Sequence, residues 1–273
     1  MIYIDYMRKL SKLKGKRKRK TGDKPRAKPE MVKTGIPGFD ELITGGGIPR
    51  GATVLISGGP GTGKTIFCLQ VLYNAARKGH QCLYITFEEP PEKLKRHMRQ
   101  FGWKIDDLEE KGLLIIQRLE PFGIARTVEA QYAKISGKLM EMKGLPKVIP
   151  EGLNPYIVAM DSVTALESAF TTKPENYRIY VEQLFKLFEE SEATTFLVAE
   201  TEDAPMRYSR TGVEEFLADG VVVLYNVKVG GTRTRAIEIL KLRGARHINR
   251  FVPLHISNKG IEVFPTGSVF EAE

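Results

Sequence analysis

ATVLISGGPGTGKTIFCLQVLYNAARKG, residues 52–79, is the stretch from which the architecture follows. ATVLIS is a short unbroken apolar run rich in branched side chains, the pattern of a strand buried on both faces. From Lys64 onward apolar side chains recur at helical spacing as far as Gly79, a residue suited to ending a helix. Between the two, GGPGTGKT at 58–65 satisfies G-x-x-x-x-G-K-[ST], following a strand and opening a helix as a phosphate-binding loop must. Gly58, Gly59, Gly61 and Gly63 let successive backbone N–H groups converge on phosphate oxygens, and the helix N-terminus adds a favourable dipole. The loop from Gly58 through Pro60, Thr62 and Lys64 to Ile66 is therefore the expected site for ATP. Lys64 reaches the β- and γ-phosphates, and the Thr65 hydroxyl ligates Mg2+.

Working outward, QCLYITF (81–87), LLIIQRL (113–119), YIVAMD (156–161) and TTFLVAE (194–200) read as further strands. Helical stretches separate them, one opened by Pro90-Pro91, one over Glu129–Met142 and one over Asn176–Glu190. This alternation predicts an α/β fold: a twisted, mostly parallel sheet with helices on both faces. After Asp219 the rhythm becomes strand upon strand, GVVVLYNV, RAIEILKL, RFVPLHIS and GIEVF, which predicts an antiparallel extension of one edge. Lys143–Asn154 reads as a surface loop.

A nucleotide site needs a second metal anchor on a neighbouring strand. YIVAMD delivers Asp161 to the C-terminal edge of the sheet, where ligands of open α/β sheets bind, with Ser162 beside it. QCLYITF carries Glu88 and Glu89 to the same edge, where a carboxylate can orient an attacking water or accept its proton. The alternative is that both acids simply favour the N-terminus of the helix after Pro91. Glu88 is expected to be the catalytic carboxylate that activates water and Glu89 its partner or positioner.

Composition excludes several classes. With 42% hydrophobic and 27% charged residues in 273, wholesale disorder and disulfide scaffolds are ruled out. No apolar run approaches the ~20 residues that span a bilayer. The chain is expected to be soluble and free of membrane contact, and Cys68 and Cys82, both in apolar stretches, suit a reducing cytoplasm. The net charge of +9 is unevenly spread: residues 1–33 hold 13 of the 42 Lys and Arg and three of the 33 acids, leaving the remainder at −1. Residues 1–33 are expected to form a disordered basic arm. Two readings of it stand, a solubilising extension and an electrostatic contact with nucleic acid or an acidic partner.

Taken together, TGIPGFDELITGGGIPRGATVLISGGPGTGKT, YITFEEPPEKL, AMDSVTAL, GVEEFLADGVVVLYNV and RAIEILKLRGARH resemble the KaiC-like branch of the RecA superfamily of ATPases, of the single-domain archaeal, recombinase-paralogue type. The resemblance implies a RecA-like core in residues 34–273 and a homo-oligomer, a hexameric ring, with ATP between subunits. It makes Glu88 and Glu89 the family's paired acids. It also implies that Lys241 and Arg243, the Lys-x-Arg of a late strand, reach the neighbouring subunit's nucleotide, with His247 near the interface. Where autokinase domains of the family carry adjacent Ser and Thr, this chain reads Glu215-Phe216, so phosphorylation of itself there is not expected, and one plain ATPase domain is.

RecA-like recombinases grip single-stranded DNA with two loops. The corresponding segments offer Phe170 and Lys173 in the first, and Arg207, Tyr208 and Arg210 in the second, cations interleaved with a ring that can stack on a base. Lys228–Arg235 is a further basic turn. An ordinary polar loop explains these residues equally well, since the folded part is not basic. Three functions therefore stand: DNA-repair ATPase working with a recombinase, nucleotide-switched scaffold, and kinase of a protein partner.

Overall fold

The computed structural model describes residues 30–134, 148–171, 174–202, 207–229 and 231–269. A nine-stranded sheet forms its centre. Six strands run parallel: β3 (Thr53–Gly58), β4 (Cys82–Thr86), β5 (Leu114–Arg118), β6 (Ile157–Asp161), β7 (Thr194–Glu200) and β8 (Gly220–Val229). Three continue it antiparallel beyond β8: β9 (Thr232–Leu242), β10 (Val252–Ser257) and β11 (Gly260–Val263). The spatial order is β11-β10-β9-β8-β3-β7-β6-β4-β5, as the alternating and then strand-rich sequence required.

Among the described residues seven α-helices complete it. On one face lie α1 (Lys64–Ala76), α2 (Pro91–Gln100) and α3 (Asp106–Glu110), sharing a core with Phe39, Phe67, Leu72, Met98 and Ile105. On the other lie α4 (Pro121–Lys134), α5 (Val163–Ser168) and α6 (Pro174–Glu190), packed through Val128, Leu166, Tyr180 and Phe188. The five-residue α7 (Val213–Leu217) precedes β8. β3 is buried along its whole length because helices cover both faces, which is why its sequence is an apolar run rather than an alternation.

Two boundaries differ from expectation. Met31–Val32 (β1) pairs with Ile48–Pro49 (β2), and Val32 is buried, so the fold takes in residues assigned to the basic arm; residues 1–29 lie outside the described residues. Helix α4 begins at Pro121, eight residues before the expected start, because proline at the first helical position presets φ where no N–H partner is needed. Residues 135–147, which hold the expected end of that helix and much of the Lys143–Asn154 loop, lie outside the described residues. Cys68 and Cys82 are buried free thiols, and burial pushes Cys82 up to about 12. No described helix is long and apolar enough to cross a membrane.

Candidate nucleotide site

The parallel strands bring their C-terminal ends to one edge. Gly58 pairs with Glu200, Asp161 with Val198, and Thr86 with Asp161, so the phosphate loop, both predicted acids and Glu200 share that edge. The loop leaves β3 so tightly that a Cβ on Gly58 would stand 2.3 Å from the Leu224 carbonyl oxygen, and Gly63 enters α1 at φ +106°. A cleft of about 440 Å3 opens over it, lined by Lys64, Thr65, Glu88, Asp161, Glu200 and Arg235 among others.

Lys64 is 8% exposed, and its ammonium donates to the carbonyls of Gly58 (2.8 Å) and Gly59 (2.9 Å), across the mouth of the loop. Burial lowers its pKa, opposed by the nearby carboxylates of Glu200, Asp161 and Glu88. Thr65 Oγ1 donates to Asp161 Oδ2 at 2.7 Å, joining the two predicted metal anchors. Tyr84 Oη donates to the same oxygen at 2.6 Å. Burial raises the pKa of Asp161, against the hydrogen bonds from Tyr84 and Thr65 and the charge of Lys64. A hydroxyl and a carboxylate held together at the base of a phosphate loop are the hard oxygen donors that magnesium takes.

Glu88 and Glu89 part company. Glu88 Oε1 accepts the Ser162 hydroxyl at 3.0 Å, while Ser162 caps α5 by accepting the Ala165 amide at 3.1 Å. Desolvation raises the pKa of Glu88; the Ser162 bond acts against it, and Glu200, Asp161 and Glu89 add to it. The Glu89 carboxylate turns to α2, with Lys93 Nζ at 3.4 Å and His97 Nδ1 at 4.0 Å. The helix-terminus reading of the acids thus describes Glu89 and not Glu88.

Lys241 and Arg243 lie elsewhere. Lys241 Nζ donates to the carbonyls of Ala218 (2.5 Å) and Glu215 (3.2 Å), and Arg243 Nη1 stands 3.5 Å from Asp219. Both close the C-terminal end of α7, beside the 76%-exposed Phe216. Lys241 pairs with Val221, level with Leu55, three residues before the loop begins, or ~10 Å along the strand. His247 joins Ile43 in a lone bridge at this end of the sheet.

Of the DNA candidates, Arg207 and Arg210 share a cleft of about 700 Å3 that is also lined by Glu88 and Glu200, and the described others stand apart from it. Phe170 is 3% exposed, wedged against Tyr177 and Tyr180, which corrects its reading as a contact for single-stranded DNA. Lys173 lies outside the described residues. Tyr208 packs on the core while its amide donates to Glu215, Arg210 donates to Ser168 at 3.0 Å, and Arg207 is exposed.

Three residues in or beneath the cleft were not assigned to it from the sequence. Tyr84 was hidden inside an apolar strand, although a phenol in mid-strand usually needs a partner. Glu200 ends its strand as Asp161 does, the same signal at the same edge. Arg235, at the end of a basic turn, gave no sign that its Nε would donate to the Gly61 carbonyl at 3.1 Å.

This geometry agrees with what the chain is similar to. The family model described as "ATPase: KaiC" matches residues 32–268. The chain belongs to the KaiC family of ATPases. It is 36% identical over 243 residues to the circadian clock oscillator protein KaiC of Parathermosynechococcus lividus, an alignment covering 86% of this chain and 42% of that protein, so the chain spans less than half of that KaiC. A UPF0273 protein of Pyrococcus horikoshii is 36% identical over 238 residues, 86% of this chain and 94% of that one. The crystal structure of a KaiC-like protein from the same archaeon superposes with a TM-score of 0.71 at 33% identity, covering 87% of this chain and 100% of the other. The RecA-type core and the ATP-binding ATPase class are therefore those of the KaiC family.

Proposed function

We propose that the chain is a magnesium-dependent ATPase whose active sites form between copies of itself, most simply in a six-membered ring. The observation that carries this is the separation of the cations: Lys64 borders its own cleft, whereas Lys241 and Arg243 sit at the far end of the sheet, about the α7 terminus and exposed Phe216. Two cations that cannot serve their own loop are suited to serve the next copy's.

In this reading Thr65 and Asp161 would hold Mg2+, which would offset the charge of the phosphates. Lys64 exchanges the Gly58 and Gly59 carbonyls for phosphate oxygens. Glu88, aimed by the Ser162 hydroxyl, accepts the proton of the attacking water as the bond to the terminal phosphorus breaks. The adjoining copy's cations meet the charge that moves onto the leaving oxygens. Mixing inactive Lys64→Ala and Lys241→Ala subunits tests the arrangement. Restored ATPase is expected, because a mixed ring contains interfaces with an intact loop on one side and an intact Lys241 on the other; no recovery in confirmed mixed oligomers rejects it.

A second reading places that ATPase beside a recombinase on single-stranded DNA. The basic charge of residues 1–33 and the exposed Arg207 support it. Binding would then weaken steeply with salt and depend on residues 1–29. DNA that neither binds nor changes the rate points instead to a nucleotide-switched scaffold, and label appearing on protein rather than phosphate points to a kinase.

A further inference from the structure

Lys241 owes its direction to one extra residue in β9. Ile237 pairs with Leu224 and Ile239 with Val222, but Lys241 pairs with Val221, so Leu240 is a bulge in the ladder. A strand alternates faces strictly, and one bulged residue reverses the alternation. Ile237 and Ile239 enter the core of the α1 face, and past the bulge Leu242 does so too. Lys241 therefore turns to the opposite face, where Leu217 and Ala218 pack at the end of α7.

What it meets there is backbone. Lys241 Nζ donates to the carbonyls of Glu215, Phe216 and Ala218, and Arg243 Nη2 donates to that of Phe216 at 3.4 Å. Carbonyls at a helix end suit a cation. A five-residue helix is too short to be stable by itself, however, so α7 takes its place from side-chain anchors. Glu215 is the anchor nearest the two cations. Its Oε2 accepts the amides of Tyr208 at 2.6 Å and Ser209 at 3.0 Å, two successive N–H groups converging on one carboxylate oxygen. Such an amide pair seats an anion, and a charged acceptor makes each bond stronger than a neutral one would. The turn between is closed by Gly212 N–H donating to Ser209 Oγ and Val213 N–H donating to Thr211 Oγ1. One residue thus grips 208–209 with its side chain while its own carbonyl receives Lys241. A rival role is local, since Arg207, Ser209 and Arg210 share a cleft with this subunit's own Glu88.

We propose that Glu215 is a positioning residue for catalysis in the adjoining copy: its carboxylate, seated on the Tyr208 and Ser209 amides, fixes the α7 carbonyls that hold Lys241 and Arg243. The inference rests on the reading in which those two cations complete the next copy's site. It adds the group that sets their bearing, which touches neither nucleotide nor metal.

Glu215→Ala removes the acceptor, whereas Glu215→Gln keeps an oxygen for the two amides and removes only the charge. Loss of charged hydrogen bonds predicts a kcat about 10- to 100-fold lower for Ala and a smaller loss for Gln. ATP affinity, measured by titration of a fluorescent ATP analogue, is expected to be unchanged in both. Subunit mixing then shows which copy carries the defect. An equal mixture of Glu215→Ala and Lys64→Ala is expected to recover up to about a quarter of the wild-type rate, the share of head-to-tail interfaces that join an intact loop to an intact α7. Glu215→Ala mixed with Lys241→Ala is expected to gain nothing, because both fail on the same side of the interface. Unchanged kcat in Glu215→Ala overturns the proposal. Recovery with Lys241→Ala, or weakened ATP binding, places Glu215 in the service of its own cleft and also overturns it. If a thermal melt shows Ala to be unfolded, the same mixtures with Gln decide. Recovery with neither partner in confirmed mixed oligomers, while Lys64→Ala and Lys241→Ala restore each other, reduces Glu215 to a folding role and overturns the proposal alone. Failure of that last pair overturns the intersubunit reading with it.

Discussion

Glu88 and Glu89 are adjacent in the chain, yet their carboxylates serve different elements: Glu88 accepts the Ser162 hydroxyl at the end of β6, and Glu89 lies 3.4 Å from Lys93 on α2. Both were expected at the catalytic centre as a pair. The first turn of α2 instead draws Glu89 aside as an i,i+4 partner. Glu88→Gln should lower kcat by about 10²- to 10⁴-fold, the usual worth of a general base, while Glu89→Gln should cost less than about 10-fold. Steady-state phosphate release from both variants at saturating ATP decides the assignment.

Tyr84 places one hydrogen on the oxygen of Asp161 that also receives Thr65. Tyr84→Phe keeps the buried ring and removes that bond, which to a charged acceptor is worth about 1.5–3 kcal/mol. The magnesium concentration for half-maximal ATPase should rise several-fold, with a smaller change in kcat at saturating metal. Titration with Mg2+ at fixed ATP measures it; an unchanged requirement assigns Tyr84 to packing.

Asp161 is a carboxylate whose pKa burial raises, so the native state binds its proton more tightly than the unfolded chain does. Its stabilising contribution is full below the unfolded carboxylate pKa, about 4, and is lost as pH rises through the higher native value. At neutral pH the charge is therefore a cost, one that the proposed metal role of Asp161 accounts for. Asp161→Asn can still accept from Tyr84 and Thr65, and should raise Tm at pH 7 while abolishing ATPase. The gain should shrink as pH falls toward 4, which thermal melts between pH 4 and 8 follow.

Glu214 is 1% exposed, and the hydroxyls of Tyr177 and Thr211 both donate to it, tying α6 to the start of α7. Glu214→Ala strands two donors in a dry site at about 1–3 kcal/mol each. A clear fall in Tm is expected, together with loss of ATPase beyond the fall in folded protein, since α7 carries the carbonyls that hold Lys241. A variant with unchanged Tm refutes the tie.

The loop, the parallel sheet and Asp161 were legible because each is local: GGPGTGKT writes its own backbone geometry, and an apolar run ending in Asp states its own direction. Arg235, Tyr84 and the bond that holds Glu88 apart from Glu89 were not, because each depends on a partner far away in the chain. Gly61 is 174 residues from Arg235, and Asp161 is 77 from Tyr84. Phe170 failed for a related reason. A loop aromatic reads as exposed until the two tyrosines that enclose it, seven and ten residues on, are placed by α6.

The unpaired Leu240 makes residue count, rather than residue type, the determinant of where β9 delivers its last two positive charges. Ile239 pairs with Val222 and Lys241 with Val221, so Leu240 is the extra residue of a bulge; taking it into an unbulged ladder opposite Val221 would swing Lys241 and Arg243 toward the side Arg235 occupies, with every side chain's chemistry unaltered. In the proposed ring, charge-reversing changes at 241 would weaken an encounter between copies; a one-residue slip that absorbed Leu240 into the ladder would point both charges in the wrong direction altogether.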